Sequence, residues 1–128
     1  MTYPEAFSRL TFETAVIVFL KKNGEVRLML GTRNLNTVSL LYGFQGAKLG
    51  GHDNRCNITN GNLAVFDLVV GDARSFNIER LLSIDFVGEI RTMEQYNTIL
   101  QKYVEFKNQY EATNPMMISM DIKEESVW

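Results

Sequence analysis

The sequence predicts a mainly β fold: a small barrel of about five antiparallel strands, a short N-terminal helix and a longer amphipathic C-terminal helix packed on the barrel. Two turn signals, Asn23-Gly24 and Gly71-Asp72, each separate two apolar runs and so predict two β-hairpins. Residues 93–110 carry apolar side chains at the spacing of an α-helix. These patterns together favour a strand-rich chain with helices at its ends.

The chain has the size of one domain. Its 128 residues, 45% of them hydrophobic, are enough to bury a core. We therefore expect a single domain over 1–128. Its expected parts are a barrel core at 15–90 with a long loop at 33–61, a helix at 93–110 and a tail at 112–128.

A short helix is expected near residues 3–10. Thr2 suits the cap position, because its hydroxyl can accept a hydrogen bond from a free N–H of the first turn. Pro4 fits the first turn, and the charge of Glu5 interacts favourably with the helix N-terminus.

The first hairpin is expected over residues 15–32, where AVIVFLKK and EVRLMLGT flank Asn23-Gly24. A two-residue type I′ turn at that pair sets Lys22 opposite Glu25. The pairs that follow are Leu20 with Arg27, Phe19 with Leu28, Val18 with Met29 and Ile17 with Leu30.

Both faces of this hairpin are predicted to be apolar. Side chains alternate between the faces along a strand, and a hairpin with one solvated face would alternate apolar and polar residues. We therefore expect it to be covered on both sides, once by the core and once by a helix or a partner. One face has Ile17, Phe19, Leu28 and Leu30, and the other has Val16, Val18, Leu20 and Met29.

A long connection is expected over residues 33–61, which are rich in glycine and asparagine. Within it, residues 38–44 (VSLLYGF) are apolar enough to form a short strand or to pack over the barrel. Loops of this length inside a compact domain are uncommon and often functional. We therefore expect the loop to be tethered to the barrel.

The second hairpin is expected to join residues 62–70 to residues 73–78. Gly71-Asp72 suits a two-residue type II′ turn, which needs glycine at its first central position. This turn sets Asp67 opposite Phe76. The neighbouring pairs on the same face are Val65 with Ile78 and Val69 with Arg74.

A further strand is expected over residues 82–90, because apolar and polar side chains alternate there. Gly88 is expected to bend it. The apolar positions are Ile84, Phe86 and Ile90, and the polar ones are Ser83, Asp85 and Glu89.

The C-terminal helix is expected over residues 93–110. Thr92 followed by Gln95 is a capping-box pattern, and Asn114-Pro115 is a stop signal. The tail beyond it could add an edge strand near residues 116–122. The apolar stripe that predicts packing on the barrel is Tyr96, Ile99, Tyr103, Phe106 and Tyr110.

The cysteine content and the hydropathy of the sequence suggest the cellular compartment. Its single cysteine, Cys56, cannot form an internal disulfide, which fits a reducing environment. There is no run of about 18 apolar residues and no charged segment leading into an apolar one. We therefore expect a cytoplasmic protein.

Two segments resemble a known family. They are FLKKNGEVRLMLGTRNL at 19–35 and AVFDLVVGDARSFNIERLLSI at 64–84. They are similar to tailed-bacteriophage proteins described as WYL-like, with an Sm-like SH3 β-barrel. The resemblance implies that the barrel is SH3/Sm-like. One position departs from the family pattern: Ala73 stands where an aromatic residue is expected before Arg-Ser-Phe.

The whole chain also resembles the small early proteins of T-even-type phages that bind RNA polymerase. This resemblance implies a non-enzymatic accessory protein of the host cytoplasm that binds host RNA polymerase and modulates transcription. We expect no cofactor and no small-molecule ligand. The fold expectation is the stronger of the two, because one fold supports many functions.

Candidate partner contacts lie in the long loop and in the tail. Aromatic and basic loop residues suit an interface, and methionine and tryptophan in the tail suit an adaptable apolar one. Packing of the tail on the barrel is the alternative use of those tail residues. The candidates are Tyr42, Phe44, Lys48, His52, Arg55, Met116, Met117, Met120 and Trp128.

Single-strand nucleic-acid binding is the alternative function. Barrels of this type can bind strands through basic and aromatic surfaces, and a loop that folds back over the hairpin could make a basic rim that includes His52. Tyr42 and Phe44 would offer stacking surfaces. The basic candidates are Arg27, Arg33, Lys48 and Arg55.

The sequence gives little support to catalysis or metal binding. His52 and Cys56 are too few for a structural zinc site, which takes four nitrogen or sulfur ligands, and a cysteine–histidine pair needs a third, orienting group. The glycine-rich stretch at 43–51 lacks the P-loop pattern, because Ala47 precedes Lys48. We therefore expect no enzyme activity.

Overall fold

A computed structural model describes residues 1–47 and 56–113, without the side chains of residues 44–47. The chain begins with helix α1 (Tyr3–Phe12) and strands β1 (Thr14–Leu20) and β2 (Val26–Thr32). Helix α2 (Leu35–Ala47), strand β3 (Asn62–Asp67) and strand β4 (Asp72–Asn77) follow. The short 3-10 turn Ile78–Arg80 leads into strand β5 (Leu81–Gly88), and helix α3 (Met93–Thr113) comes last.

The five strands form one antiparallel sheet in the order β4-β3-β2-β1-β5. β4 and β5 are the two edges, yet only the turn Ile78–Arg80 joins them. Three residues span at most about 10 Å, so the sheet must curl until its edges approach each other at this end. The predicted fold class, a small antiparallel barrel with a helix at either end of the chain, is confirmed.

Both terminal helices form where local signals predicted them. The Thr2 side chain accepts a hydrogen bond from the Glu5 N–H at 3.3 Å and caps α1. At the start of α3, Thr92 Oγ1 accepts from the Gln95 N–H and Gln95 Oε1 accepts from the Thr92 N–H, both at 3.1 Å. This reciprocal pair is the predicted capping box.

The first hairpin forms, but its predicted register is wrong by one residue. Phe19 lies opposite Arg27, and Ile17 lies opposite Met29. A type I′ turn needs positive φ at both central residues, whereas among the described residues only glycines have positive φ. Asn23 therefore has negative φ, and Gly24 alone has φ near 87°.

A three-residue loop replaces the predicted two-residue turn. The Lys21 N–H donates to the Glu25 carbonyl at 2.8 Å, and the Gly24 N–H donates to the Lys21 carbonyl at 2.9 Å. Lys21 therefore takes the place predicted for Lys22 opposite Glu25. A shift of one residue moves each β2 side chain to the other face. Met29 consequently joins Ile17 and Phe19, while Leu28 and Leu30 join Val16 and Val18.

The hairpin is nevertheless covered on both faces, as its double apolarity predicted. α1 covers one face, where Leu10 packs with Ile17 and Met29. α2 and α3 cover the other face, where Val38 and Tyr103 pack with the remaining hairpin side chains. The core members of the first face are Ala6, Leu10, Ala15, Ile17, Phe19, Met29, Leu63, Val65 and Phe76. Those of the second are Val18, Val26, Leu28, Leu30, Val38, Phe66, Leu68, Ile90 and Tyr103.

The second hairpin also differs in register. Asp67 lies opposite Asp72 rather than Phe76, and Val65 lies opposite Arg74 rather than Ile78. The predicted type II′ turn at Gly71-Asp72 is wrong, because the strand ends at Asp67 and a longer turn follows. The register moves by an even number of residues, so the side chains keep their predicted faces.

Residues 35–47 form α2, so the prediction that they belong to a long loop is wrong. Asn34 Oδ1 accepts from the N–H groups of Asn36 at 3.0 Å and Thr37 at 3.4 Å and caps the helix. Val38 is buried in the core. Of the two predictions for residues 38–44, the strand is wrong and packing over the barrel is confirmed.

β5 ends at Gly88, where φ is near 90°, and not at Ile90 as expected. Ile90 itself is buried beneath α2 and α3. No helix within residues 1–47 and 56–113 is long and apolar enough to cross a membrane. The expected edge strand at 116–122 lies outside the described residues.

Candidate partner-binding surface

Tyr42, a predicted contact residue, ends the regular part of α2. Its hydroxyl donates a hydrogen bond to the Leu68 carbonyl, and its ring centroid lies 5.2 Å from that of Phe66. The next residue, Gly43, has φ 75° and ψ −177° and breaks the helix. Tyr42 is thus held between a helix end and the β3–β4 turn, with 40% of its surface exposed.

The turn beneath Tyr42 is organised by Asp67. The Asp67 carboxylate accepts from the N–H groups of Val69 at 3.0 Å and Val70 at 3.1 Å. The Gly71 N–H donates to the Asp67 carbonyl at 2.8 Å, which closes the turn. Asp67 thereby satisfies backbone donors that a strand would have paired, and it terminates β3.

The turn presents an apolar side chain to solvent beside Tyr42. Val69 is 47% exposed, whereas Leu68 is fully buried in the core below it. We call the set Tyr42, Leu68, Val69 and Gly71 the α2–turn surface. Val69 stands on a turn fixed by hydrogen bonds, and Tyr42, at the end of α2, is bonded to that turn, so the surface is preorganised.

The surroundings of Tyr42, and of Tyr96 beside the α2–turn surface, keep both phenols neutral. Burial, and then the nearby Tyr96 and Asp67, raise the pKa of Tyr42. Burial and Asp67 likewise raise the pKa of Tyr96, whose hydroxyl lies 3.4 Å from the Leu68 carbonyl. Both hydroxyls therefore stay protonated and able to donate at neutral pH.

Asp67 is the buried charge next to this surface. Burial raises the pKa of its carboxyl, while the N–H groups of Val70 and Val69 and the charges of Arg27 and Arg74 act in the opposite direction. A buried carboxylate is tolerated where hydrogen bonds and cations surround it. The hydrogen bonds of the turn and the two nearby arginine charges therefore offset part of the cost of burying this carboxyl.

A second polar cluster connects Arg33 to Cys56. The Arg33 guanidinium donates to the Ala64 carbonyl at 2.6 Å and to the Cys56 sulfur at 3.2 Å, and it lies 4.3 Å above the Phe7 ring. The Ala64 N–H also donates to that sulfur, at 3.3 Å. Arg33 thus joins α1 to β3, and sequence spacing gave no signal for this link.

Comparison with known families identifies the family to which the barrel belongs. The family model described as WYL_2, Sm-like SH3 beta-barrel fold, matches residues 6–82. The chain belongs to this WYL_2 family. The match runs from α1 into β5 and includes the α2–turn surface, whereas α3 lies beyond it. Neither a search of curated proteins nor one of solved structures found a significant match.

Two basic residues expected at an exposed rim are buried or half-buried in this WYL_2 chain. Arg27 is 3% exposed and lies on β2 opposite Phe19. Arg33 is half-buried in the cluster with Cys56. Their positions argue against the basic rim for single strands, since phosphate contacts require exposed cations.

Most other candidate residues fall in the segments outside residues 1–47 and 56–113. From the loop these are Lys48, His52 and Arg55, together with the side chain of Phe44. From the tail they are Met116, Met117, Met120 and Trp128. Within the described part of this WYL_2 chain, no three histidine, cysteine or acidic side chains are grouped so that they could hold a metal ion.

Proposed function

We propose that this protein is a phage-encoded, non-catalytic accessory that binds host RNA polymerase in the host cytoplasm and modulates transcription by occupying a surface of the enzyme. The α2–turn surface carries the proposal, because it exposes an aromatic side chain at the end of α2 and an aliphatic one on the turn bonded to it. The sequence resemblance to RNA polymerase-binding protein A of T-even-type phages suggests the partner.

Tyr42 has the properties of an interface anchor. Tyrosine is enriched among residues that dominate binding energy, since it offers a large apolar ring and a polar tip. Its hydroxyl and ring are already held by Leu68 and Phe66, so little side-chain entropy remains to be lost on binding. Val69 extends the same apolar contact.

The direct test measures binding of the full-length protein to purified host RNA polymerase. We expect a complex at micromolar concentration or below. Val69→Asp should weaken it about tenfold or more by placing an acid in an apolar contact, with little change in Tm because Val69 is exposed. The matched control is Ile58→Asp, since Ile58 is also an exposed aliphatic residue.

Two results would reject the proposal as stated. One is the absence of polymerase binding at micromolar protein. The other is equal loss of binding in the Val69 and Ile58 variants, which would exclude the α2–turn surface as the contact. A parallel titration with labelled single-stranded oligonucleotides at low salt tests the nucleic-acid alternative, for which we expect no binding.

A further inference from the structure

A groove separates α3 from the β5 edge of the sheet. Its volume is about 530 Å³. Ile99, Tyr103 and Phe106 form an apolar wall on α3, while Ser83 and Asp85 form part of the sheet floor. Phe106 is 38% exposed, so the wall is accessible. We call this feature the α3–β5 groove.

The groove lies beside a strand that has one neighbour. β5 pairs with β1, and among the described residues it forms the outer edge of the sheet. Edge strands of natural proteins are usually blunted or covered, because their free N–H and C=O groups invite pairing. An apolar wall next to such an edge is suited to an extended segment.

The polypeptide that continues from α3 has the right length to reach the groove. α3 ends at Thr113, and residues 114–128 follow it outside the described part of the chain. Pro115 disfavours helix at the residue before it, so it permits a change of direction.

The reach of an extended tail matches the positions of the wall residues along α3. At 1.5 Å per residue, Phe106 and Ile99 lie about 10 and 21 Å back from Thr113 along α3. At about 3.3 Å per residue, a reversed extended chain carries Ile118 about 13 Å and Met120 about 20 Å from Asn114. In an extended chain that runs back along α3, the apolar tail residues would therefore fall along the apolar wall.

The pattern of the tail fits the groove as well. Ile118, Met120 and Ile122 alternate with polar residues, so an extended chain would present them on one side. In such a chain, Asp121 and Lys123 would lie on the other side. The groove itself carries one acid and one base, Asp85 and Lys102.

We propose that residues 116–122 lie in the α3–β5 groove of the same molecule, with Ile118 and Met120 against the wall of α3. In this arrangement the tail covers the barrel and completes the outer layer beside β5. The proposal is independent of polymerase binding, which was assigned to the α2–turn surface.

Disulfide trapping in the full chain tests the proposal. In a Cys56→Ser background, Lys102→Cys is combined with Met120→Cys, and oxidised glutathione is the oxidant. We expect an intramolecular disulfide that forms at least tenfold faster than in the control, Gln101→Cys with Met120→Cys. Gln101 is also exposed, and helical geometry places it about 160° around α3 from the centre of the wall.

Equal rates in the two pairs would overturn the proposal. Predominant disulfides between molecules would overturn it too, and would assign the groove to a second copy. A pair that reacts only when polymerase is added would assign it to the partner and likewise overturn it. These outcomes leave the polymerase-binding test unaffected.

Hydrogen exchange provides a test without engineered cysteines. We expect Met120→Asp in the full chain to raise amide exchange of the β5 segment about tenfold, because an acid would leave the apolar wall. Ser119→Asp, on the opposite side of the extended chain, should leave that exchange unchanged. Identical exchange in both variants and the wild type would contradict the proposal.

Discussion

Gly71 and Tyr42 are in tighter contact than any substitution at the glycine would allow. A Cβ built at Gly71 would lie 3.0 Å from Tyr42 Cε1 and 3.3 Å from Tyr42 Cζ. Gly71 also has φ near 81°, a backbone conformation that L side chains rarely adopt. Position 71 therefore requires glycine for both its backbone and its neighbour.

Gly71→Ala should destabilise the protein by about 2–4 kcal/mol, because left-handed strain of about 1–2 kcal/mol adds to overpacking against Tyr42. Gly88→Ala is the matched control. Gly88 has φ near 90°, and a Cβ there would meet no described atom within 4 Å. It should cost only the strain, about 1–2 kcal/mol. Urea denaturation measures both, and equal losses would contradict the Tyr42 contact.

The sequence predicted which single residues have particular roles better than it predicted the residues that they contact. Gly24 and Gly71 were identified as turn residues from the sequence, and both have positive φ. Tyr42 was predicted as a contact residue because it is an aromatic side chain in the expected long loop. Its bond to Leu68 could not be predicted, since the distance along the chain sets no constraint on which carbonyl it meets.

Glu89 connects three elements at the end of β5. One carboxylate oxygen accepts from Arg91 Nε at 2.9 Å, just before α3. The other accepts from Asn34 Nδ2 at 3.2 Å, and Asn34 caps α2. These hydrogen bonds, from Arg91 first and then Asn34, lower the pKa of Glu89.

This lowered pKa makes the contribution of Glu89 to stability depend on pH. A carboxyl whose folded pKa is below its unfolded value stabilises the protein above the unfolded pKa and loses that effect as pH falls through the folded pKa. Glu89→Gln should therefore have a lower Tm than the wild type above about pH 5.

The Tm difference between Glu89→Gln and the wild type should narrow as pH falls from about 5 to 3. Thermal unfolding followed by circular dichroism across this range measures it. Parallel Tm curves for the two proteins would mean that the Arg91 and Asn34 contacts do not favour the ionised carboxyl.

Elements with strong local sequence signals were predictable, whereas the strand registers of the two hairpins were not. α1 and α3 form where capping residues predicted them, because a cap acts within one turn. The Asn23-Gly24 pair correctly predicted a hairpin, but two-residue and three-residue loops both tolerate that pair. α2 was missed because its apolar residues do not follow one helical stripe, and its Asn34 cap was read as part of a loop.

The sheet as a whole is packed on both faces, and this double core sets its stability. Leu10 is fully buried on the α1 side, among Ile17, Met29 and Leu63. α1 is therefore part of the core even though it begins near the first residue of the chain.

Leu10→Ala should destabilise the protein by about 2–5 kcal/mol, since the sheet cannot collapse into the cavity that the missing side chain leaves. Phe12→Ala, at the end of the same helix, is the control. Phe12 is 64% exposed, so its loss should change stability by less than about 0.5 kcal/mol. Chemical denaturation compares the two, and similar losses would show that α1 does not cover the core as described.

For the whole molecule, the two-sided covering of the first hairpin was predictable because apolar patterning reports burial regardless of register, and the SH3/Sm-like barrel class was predictable from the family resemblance. Which helix covers which face was not predictable, since the choice depends on contacts between distant elements. Arg27 illustrates the limit: a charged residue predicted at a rim lies in the interior, opposite Phe19.

The turn Ile78–Arg80 leads into β5, and the pairing of this last strand affects the order in which the sheet can form. β1–β2 and β3–β4 are joined by short loops, so each pair can form early at a small entropic cost. β5 instead pairs with β1, across nearly the whole length of the sheet sequence. Topologies that depend on such distant pairs fold slowly. We therefore expect the pairing of the first strand with the last to limit the folding rate, and until that pair forms the edge of β1 is open to other chains.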